Sequence, residues 1–194
     1  MDTHKKNFFD SRKNYDDRLE VLKQKEEEYI KLLNERYNES IKKVKDDFEK
    51  YSSEHGYLLT KRTKFIEAEY GDNYLKIRIE FEQPTLAKKY FFKLVIIEES
   101  RREFLVYFIP DCNDLYFPQP LKSAFRPKPK NQFELERFNK DLENEFLFLD
   151  NKIKELTKIT LTLSYHNANY TPSEKEKLAT YDGIISILDK LING

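Results

Sequence analysis

From Tyr15 onward the apolar positions are Tyr15, Leu19, Leu22, Ile30, Leu33, Tyr37, Ile41, Val44, Phe48 and Tyr51, with polar Glu26 bridging Leu22 and Ile30. Steps of three and four keep these side chains on one helical face. Neither Gly nor Pro interrupts the run. Opposite charges recur at helical spacing, as in Glu27 with Lys31, Glu39 with Lys43 and Asp46 with Lys50. Each such pair adds ~0.2–0.5 kcal/mol to an exposed helix. The pattern predicts a flexible tail over 1–11 and one long charged amphipathic helix over 12–55, with Ser52, Ser53 and Gly56 as its stop.

The period of this helix is informative. Ten steps carry the stripe across the 36 residues from Tyr15 to Tyr51, about 3.6 residues per step, whereas a strict coiled coil keeps 3.5. Heptads hold locally over Leu19, Leu22, Glu26, Tyr29 and Leu33, and again over Ile41, Val44, Phe48 and Tyr51. The two stretches slip by one residue near Tyr37. At 1.5 Å per residue such a helix is ~60 Å long, against a radius of gyration near ~14 Å for a domain of the remaining length. The expectation is a coiled-coil-like helix that overhangs its domain and self-associates, giving a homodimer through Leu19, Leu22, Tyr29, Leu33, Ile41, Val44 and Phe48. The alternative is that it packs against the later helices of its own chain.

Beyond Tyr57 the period changes to two. Leu75, Ile77, Ile79 and Phe81 alternate with Lys76, Arg78, Glu80 and Glu82, as in a half-solvated antiparallel strand. Gly71-Asp72-Asn73 before it is hairpin chemistry. Residues 58–70 alternate less cleanly, with Phe65, Ile66 and Ala68 as core. Tyr90–Ile97 and Phe104–Ile109 are apolar on both faces and so need cover on both. One cover is expected from the C-terminal helix, the other from the long helix or a second subunit. Five prolines then fall between Pro110 and Pro129, which predicts a long extended loop over 110–130.

Asn131 with Glu134 has the form of a capping box. Leu135, Phe138, Leu142, Phe146, Leu149, Ile153 and Leu156 continue as a helical face. Leu161, Leu163 and Tyr165 mark a last strand. Thr171-Pro172-Ser173-Glu174 has the cap, first-turn Pro and third-position Glu of a helix start, with Leu178, Tyr181, Ile185, Leu188 and Ile192 as its stripe. The predicted class is α+β: a long N-terminal helix, then a compact domain over 56–194. That domain holds an antiparallel meander of four to five strands and two C-terminal helices flanking a last strand.

Composition narrows the function. Charged residues are 36% and hydrophobic ones 39% of the 194, more charged and leaner than the globular average. Aromatic residues at 14%, with 15 Phe, still supply a core. Net charge is zero from 35 basic and 35 acidic residues, which argues against a general nucleic-acid binder. The single cysteine, Cys112, forms no internal disulfide or ordinary zinc site. With no signal-peptide pattern, a cytoplasmic location is expected. The longest apolar runs, such as Leu94-Val95-Ile96-Ile97, are too short to span a bilayer.

Candidate chemistry is sparse. His4, His55 and His166 have no ligand-spaced partners, so His166 with Asp111 or Asp114 is a weak metal pattern beside ordinary turn chemistry. Cys112 has no local signature of an activating base. Glu80 and Glu82 lack the lysine of a nuclease-type strand, and four glycines leave no phosphate loop. No cofactor, metal or catalytic residue is expected. Tyr116, Lys122, Phe125, Arg126, Lys128 and Lys130 combine positive charge with stacking surface, flanked by Asp111, Asp114, Glu134 and Glu136. The expected function is a non-enzymatic protein–protein interaction module with a protein partner. Its surface would be the 118–130 loop and the strand face of Lys76, Arg78, Glu80 and Glu82. The Lys-, Asn-, Tyr-, Phe- and Ile-rich composition matches phage and mobile-element proteins, such as an inhibitor or adaptor acting on a host complex. A nucleic-acid-binding accessory protein using 122–130 is the alternative.

Overall fold

The computed structural model describes residues 3–71, 74–81, 91–110, 126–170 and 178–192, with side chains from residue 7 onward. The order is α1 (Thr3–Glu54), β1 (Leu58–Lys61), β2 (Phe65–Tyr70), β3 (Leu75–Phe81), β4 (Phe91–Ile97), β5 (Arg101–Pro110), α2 (Gln132–Leu156), β6 (Leu161–Asn167) and α3 (Ile184–Ile192). The α+β class, the long first helix and the two C-terminal helices around a last strand are as expected. No helix among the described residues is long and apolar enough to cross a membrane.

Among the described residues the sheet has six strands in the order β1-β2-β3-β4-β5-β6, a meander of five and the last strand, which is the upper end of the expected count. Two points correct the expected elements. The weakly alternating stretch 58–70 is a hairpin, closed by Arg62 N–H donating to the Phe65 carbonyl at 2.9 Å. Its turn, Arg62-Thr63-Lys64, holds no Gly, Pro or Asn to announce it. The helix α1 also begins earlier than residue 12, at Thr3.

The chain divides into two compact units, residues 1–36 with 114–159, and residues 37–113 with 160–194. In the first, α1 and α2 run side by side and parallel. Tyr15 meets Phe138 at 6.1 Å between ring centroids. Arg18 donates to Asn139 at 2.8 Å and pairs with Glu143. Lys25 pairs with Asp150, and Arg36 donates to the Leu156 and Thr157 carbonyls. The partner numbers rise together along both helices, which fixes the direction. The residues buried are Tyr15, Leu22, Glu26, Tyr29 and Leu33 on α1, and Leu135, Leu142, Leu149 and Leu156 on α2. Those leucines recur every seven residues, the spacing of a supercoiled seam. Asn131 caps α2 by accepting from Glu134 N–H at 2.9 Å, and Glu134 reaches back to accept from Lys130 N–H at 2.8 Å.

The second unit is the sheet and its cover. The register aligns Ile66, Ile79, Leu94 and Phe104 across four strands, and Phe81, Phe92, Val106 and Tyr165 beside them. This face buries Val44, Phe48 and Tyr51 of α1 together with Ile184, Ile187 and Leu188 of α3. The two helices therefore share one face, instead of taking one each. Opposite them, Val95 lies in register between Arg78 and Glu103 and is buried. A lattice of ion pairs surrounds it: Arg78 with Glu67 and Glu80, Lys76 with Glu69, and Lys93 and Arg101 with Glu103. Long charged side chains cover apolar surface with their stems.

Glycine is needed where α1 ends. Gly56 has φ +74°, and Tyr57 N–H donates to the Ser52 carbonyl while Gly56 N–H donates to that of Ser53. That is a Schellman closure, in which a side chain at the left-handed position is strained. At the other end of the sheet, Tyr181 pairs with Leu163 through two backbone hydrogen bonds of 2.8 and 2.7 Å. Tyr181 is thus a strand partner and not part of the final helical stripe, and α3 begins only at Ile184. The expected start at Thr171-Pro172-Ser173-Glu174 lies outside the described residues.

Candidate functional site

The seven residues expected to dimerise lie on the stripe of α1, and their own chain fills the space around it. Leu22, Tyr29, Leu33, Val44 and Phe48 are buried, while Leu19 and Ile41 are half-buried. The stripe is thus closed within one copy, as in the alternative arrangement. Large apolar side chains are exposed elsewhere in the first unit. On α2 these are Phe133 at 73%, Leu147 at 65% and Phe148 at 42% exposure. At about 100° per residue, Phe133 and Leu147 lie about 40° apart, on the side opposite the leucine row. Phe9 and Val21 of α1 are also exposed.

Of the basic loop, Tyr116, Lys122 and Phe125 lie outside the described residues, as do Asp111, Cys112, Asp114 and Glu82. Lys128 and Lys130 are exposed. Arg126 is not offered to solvent: its side chain is 14% exposed and its guanidinium pairs with Glu145 on α2. On the strand face, Lys76, Arg78 and Glu80 belong to the ion-pair lattice. The Glu67 carboxylate, through its hydrogen bond, raises Arg78 further above the ordinary arginine value.

His166 is buried on the face of the sheet that carries the lattice. The Asn167 carbonyl, 2.8 Å from Nδ1, can only accept, so Nδ1 carries the proton. That leaves Nε2 to accept the Tyr107 hydroxyl at 3.1 Å. Burial pushes the Tyr107 phenol above its usual value. The Tyr107 ring stacks on His166 at 5.2 Å, and Tyr170 meets His166 edge-on. Both imidazole nitrogens are thus occupied. His55 donates Nδ1–H to the Tyr51 carbonyl at 2.8 Å and stacks on that ring. Among the described residues no group of three or more His, Cys, Asp or Glu is placed to hold a metal ion.

One cavity collects unusual chemistry. It measures about 480 Å³ and is lined by Tyr15, Arg126, Pro127, Phe138, Asp141, Asn144 and Glu145, all of the first unit. Tyr15 is 1% exposed. Burial raises its phenol pKa, and the neighbouring Arg126 guanidinium offsets part of that rise. The guanidinium lies within hydrogen-bonding reach of the phenol, although neither Tyr15 Oη nor Arg126 Nε has a well-aligned partner among the described residues. Sequence pattern marks Tyr15 only as a stripe residue. The one available signal was a hydroxyl at a position that otherwise takes Leu. The pairing of Arg126 with Glu145 has no local sequence sign.

No protein-family model, no characterised protein and no solved structure matches this chain.

Proposed function

We propose that the protein is a non-enzymatic interaction module of the adaptor or inhibitor kind, and that it associates with a second copy through the outer side of α2. The observation that carries this reading is the exposure of Phe133, Leu147 and Phe148 on the side of α2 opposite its leucine row. A helix that has buried one apolar row and still exposes another has surface to place against a partner. Phe133 and Leu147 are about 21 Å apart along the axis, the length of a short helix-to-helix contact. The ring and aliphatic side chains suit a hydrophobic contact core.

Light scattering on a sizing column at tens of micromolar is the test. More than one chain per particle is expected, with Leu147→Glu and Phe133→Glu returning the protein to a single chain. A strictly monomeric wild type, or an oligomer indifferent to both substitutions, sinks this reading.

A further inference from the structure

The two helices of the first unit present unlike outer sides. On α2 the positions two before and two after each buried leucine lie farthest from the seam. Phe133, Arg137, Lys140, Leu147 and Lys154 are exposed there, and no residue of that row is acidic. Acids stand at its borders, where Glu143 pairs with Arg18 and Glu155 with Lys152. The exposed side of α1 is the reverse. It carries Asp10, Asp17, Glu20, Glu27, Glu28 and Glu35 against Lys13 and Lys31, with Val21 exposed among them. The buried rows of the two helices face each other, so these exposed rows lie on opposite sides of the pair.

A copy that docks on the outer side of α2 must bring carboxylates for Arg137, Lys140 and Lys154. The same row of a second copy does not bring them, because cation would meet cation whether the two helices ran parallel or antiparallel. The outer side of α1 does. Its stretch from Asp17 to Glu35 and that of α2 from Arg137 to Lys154 are both about 26 Å long at 1.5 Å per residue. Val21 gives Leu147 an apolar neighbour within the acidic field. Given association through the outer side of α2, as proposed above, we infer that its mate is the acidic outer side of α1 on the next copy. Two different surfaces then meet at each junction, and every copy keeps one of each for a further neighbour. Such a contact runs head to tail, into a ring or an open chain, and does not stop at a symmetric pair.

The experiment is a complementation between two full-length variants, weighed by light scattering on a sizing column at tens of micromolar. Leu147→Glu disables the α2 side and leaves α1 intact. The double variant Glu20→Lys, Glu28→Lys reverses the α1 side and leaves α2 intact. All three positions are exposed, so both proteins keep their fold. Wild type is expected to exceed two chains per particle. Each variant alone is expected to run as a single chain, and their equimolar mixture as two-chain particles, because the mixture holds one intact junction. A double variant that still associates alone would overturn the head-to-tail contact and leave the α2 reading standing. So would a wild type that stops at two chains, or two single-chain variants that stay apart when mixed. A single-chain wild type overturns both readings together.

Discussion

The two ends of α1 solve the same problem differently. Up to Arg36 the helix buries Tyr15, Leu22, Glu26, Tyr29 and Leu33, beside a parallel helix whose leucines recur every seven residues. From Tyr37 it buries Val44, Phe48 and Tyr51 against a sheet. A helical partner rewards a 3.5-residue repeat, whereas a sheet accepts the natural 3.6. The one-residue slip at Tyr37 falls where the chain passes from one compact unit to the other. A phase slip in an amphipathic helix can therefore mark a change of partner as well as a break in one seam.

The comparison is broken or sharpened most strongly by large-to-small substitutions at matched depth. Phe48 and Leu22 are both fully buried. Phe48 belongs to a cluster of seventeen buried residues, among those described, drawn from sheet and helices, which has little freedom to close a hole. Phe48→Ala is expected to cost ~3–5 kcal/mol, and Leu22→Ala ~2–3 kcal/mol, since paired helices can settle toward each other. Urea unfolding gives both numbers. Native-state amide exchange should then localise them: Phe48→Ala exposing β3 to β5, Leu22→Ala exposing α1 before Arg36 together with α2. Identical exchange patterns for both variants would mean that the two units do not act separately.

Legibility follows the range of the interactions. Periodicity along α1, α2 and β3 is local, and these elements stand as their patterns predict. The stop at Gly56 was equally plain. The slip at Tyr37 was visible, but its cause was not, because a stripe does not say whether a helix or a sheet will cover it. The β1–β2 hairpin has no local sign, since Arg62-Thr63-Lys64 carries none of the usual turn residues. Tyr181 looked helical by spacing, yet its backbone pairs with Leu163 at the sheet edge, a non-local choice. The candidate cavity was the least legible. By sequence Arg126 is a cation in a basic run, and only its pairing with Glu145 on α2 reassigns it.

Alkaline pH separates the units by a smaller effect. In the second unit burial raises Tyr57, Tyr107 and Tyr165, with Tyr165 pushed up to about 12 by burial and then by Tyr181. In the first unit the corresponding shift is that of Tyr15. The folded state holds these phenol protons more tightly than the unfolded chain, whose phenols titrate near 10.0. Their contribution is therefore full below about pH 10 and lost as pH climbs toward 12. Stability should be level through neutral pH and fall across that window, more gently in Tyr165→Phe than in wild type. Equal slopes from thermal melts at stepped pH would remove Tyr165 from the account.

The smallest effect tests the edge of the first unit. At the start of α2 the Asn131 side chain accepts from Glu134 N–H and the Glu134 carboxylate accepts from Lys130 N–H. Both bonds are exposed, so water competes for them. Replacing Asn131 with Ala leaves an N–H of the first turn without its side-chain acceptor, at a cost of ~1 kcal/mol. Melting should fall by about 2–4 °C, and faster exchange should be confined to the first turns of α2. The sheet belongs to the second unit and should keep its protection. Loss of protection in β4 or β5 would show that the leucine row of α2 transmits strain to a unit whose core it does not build.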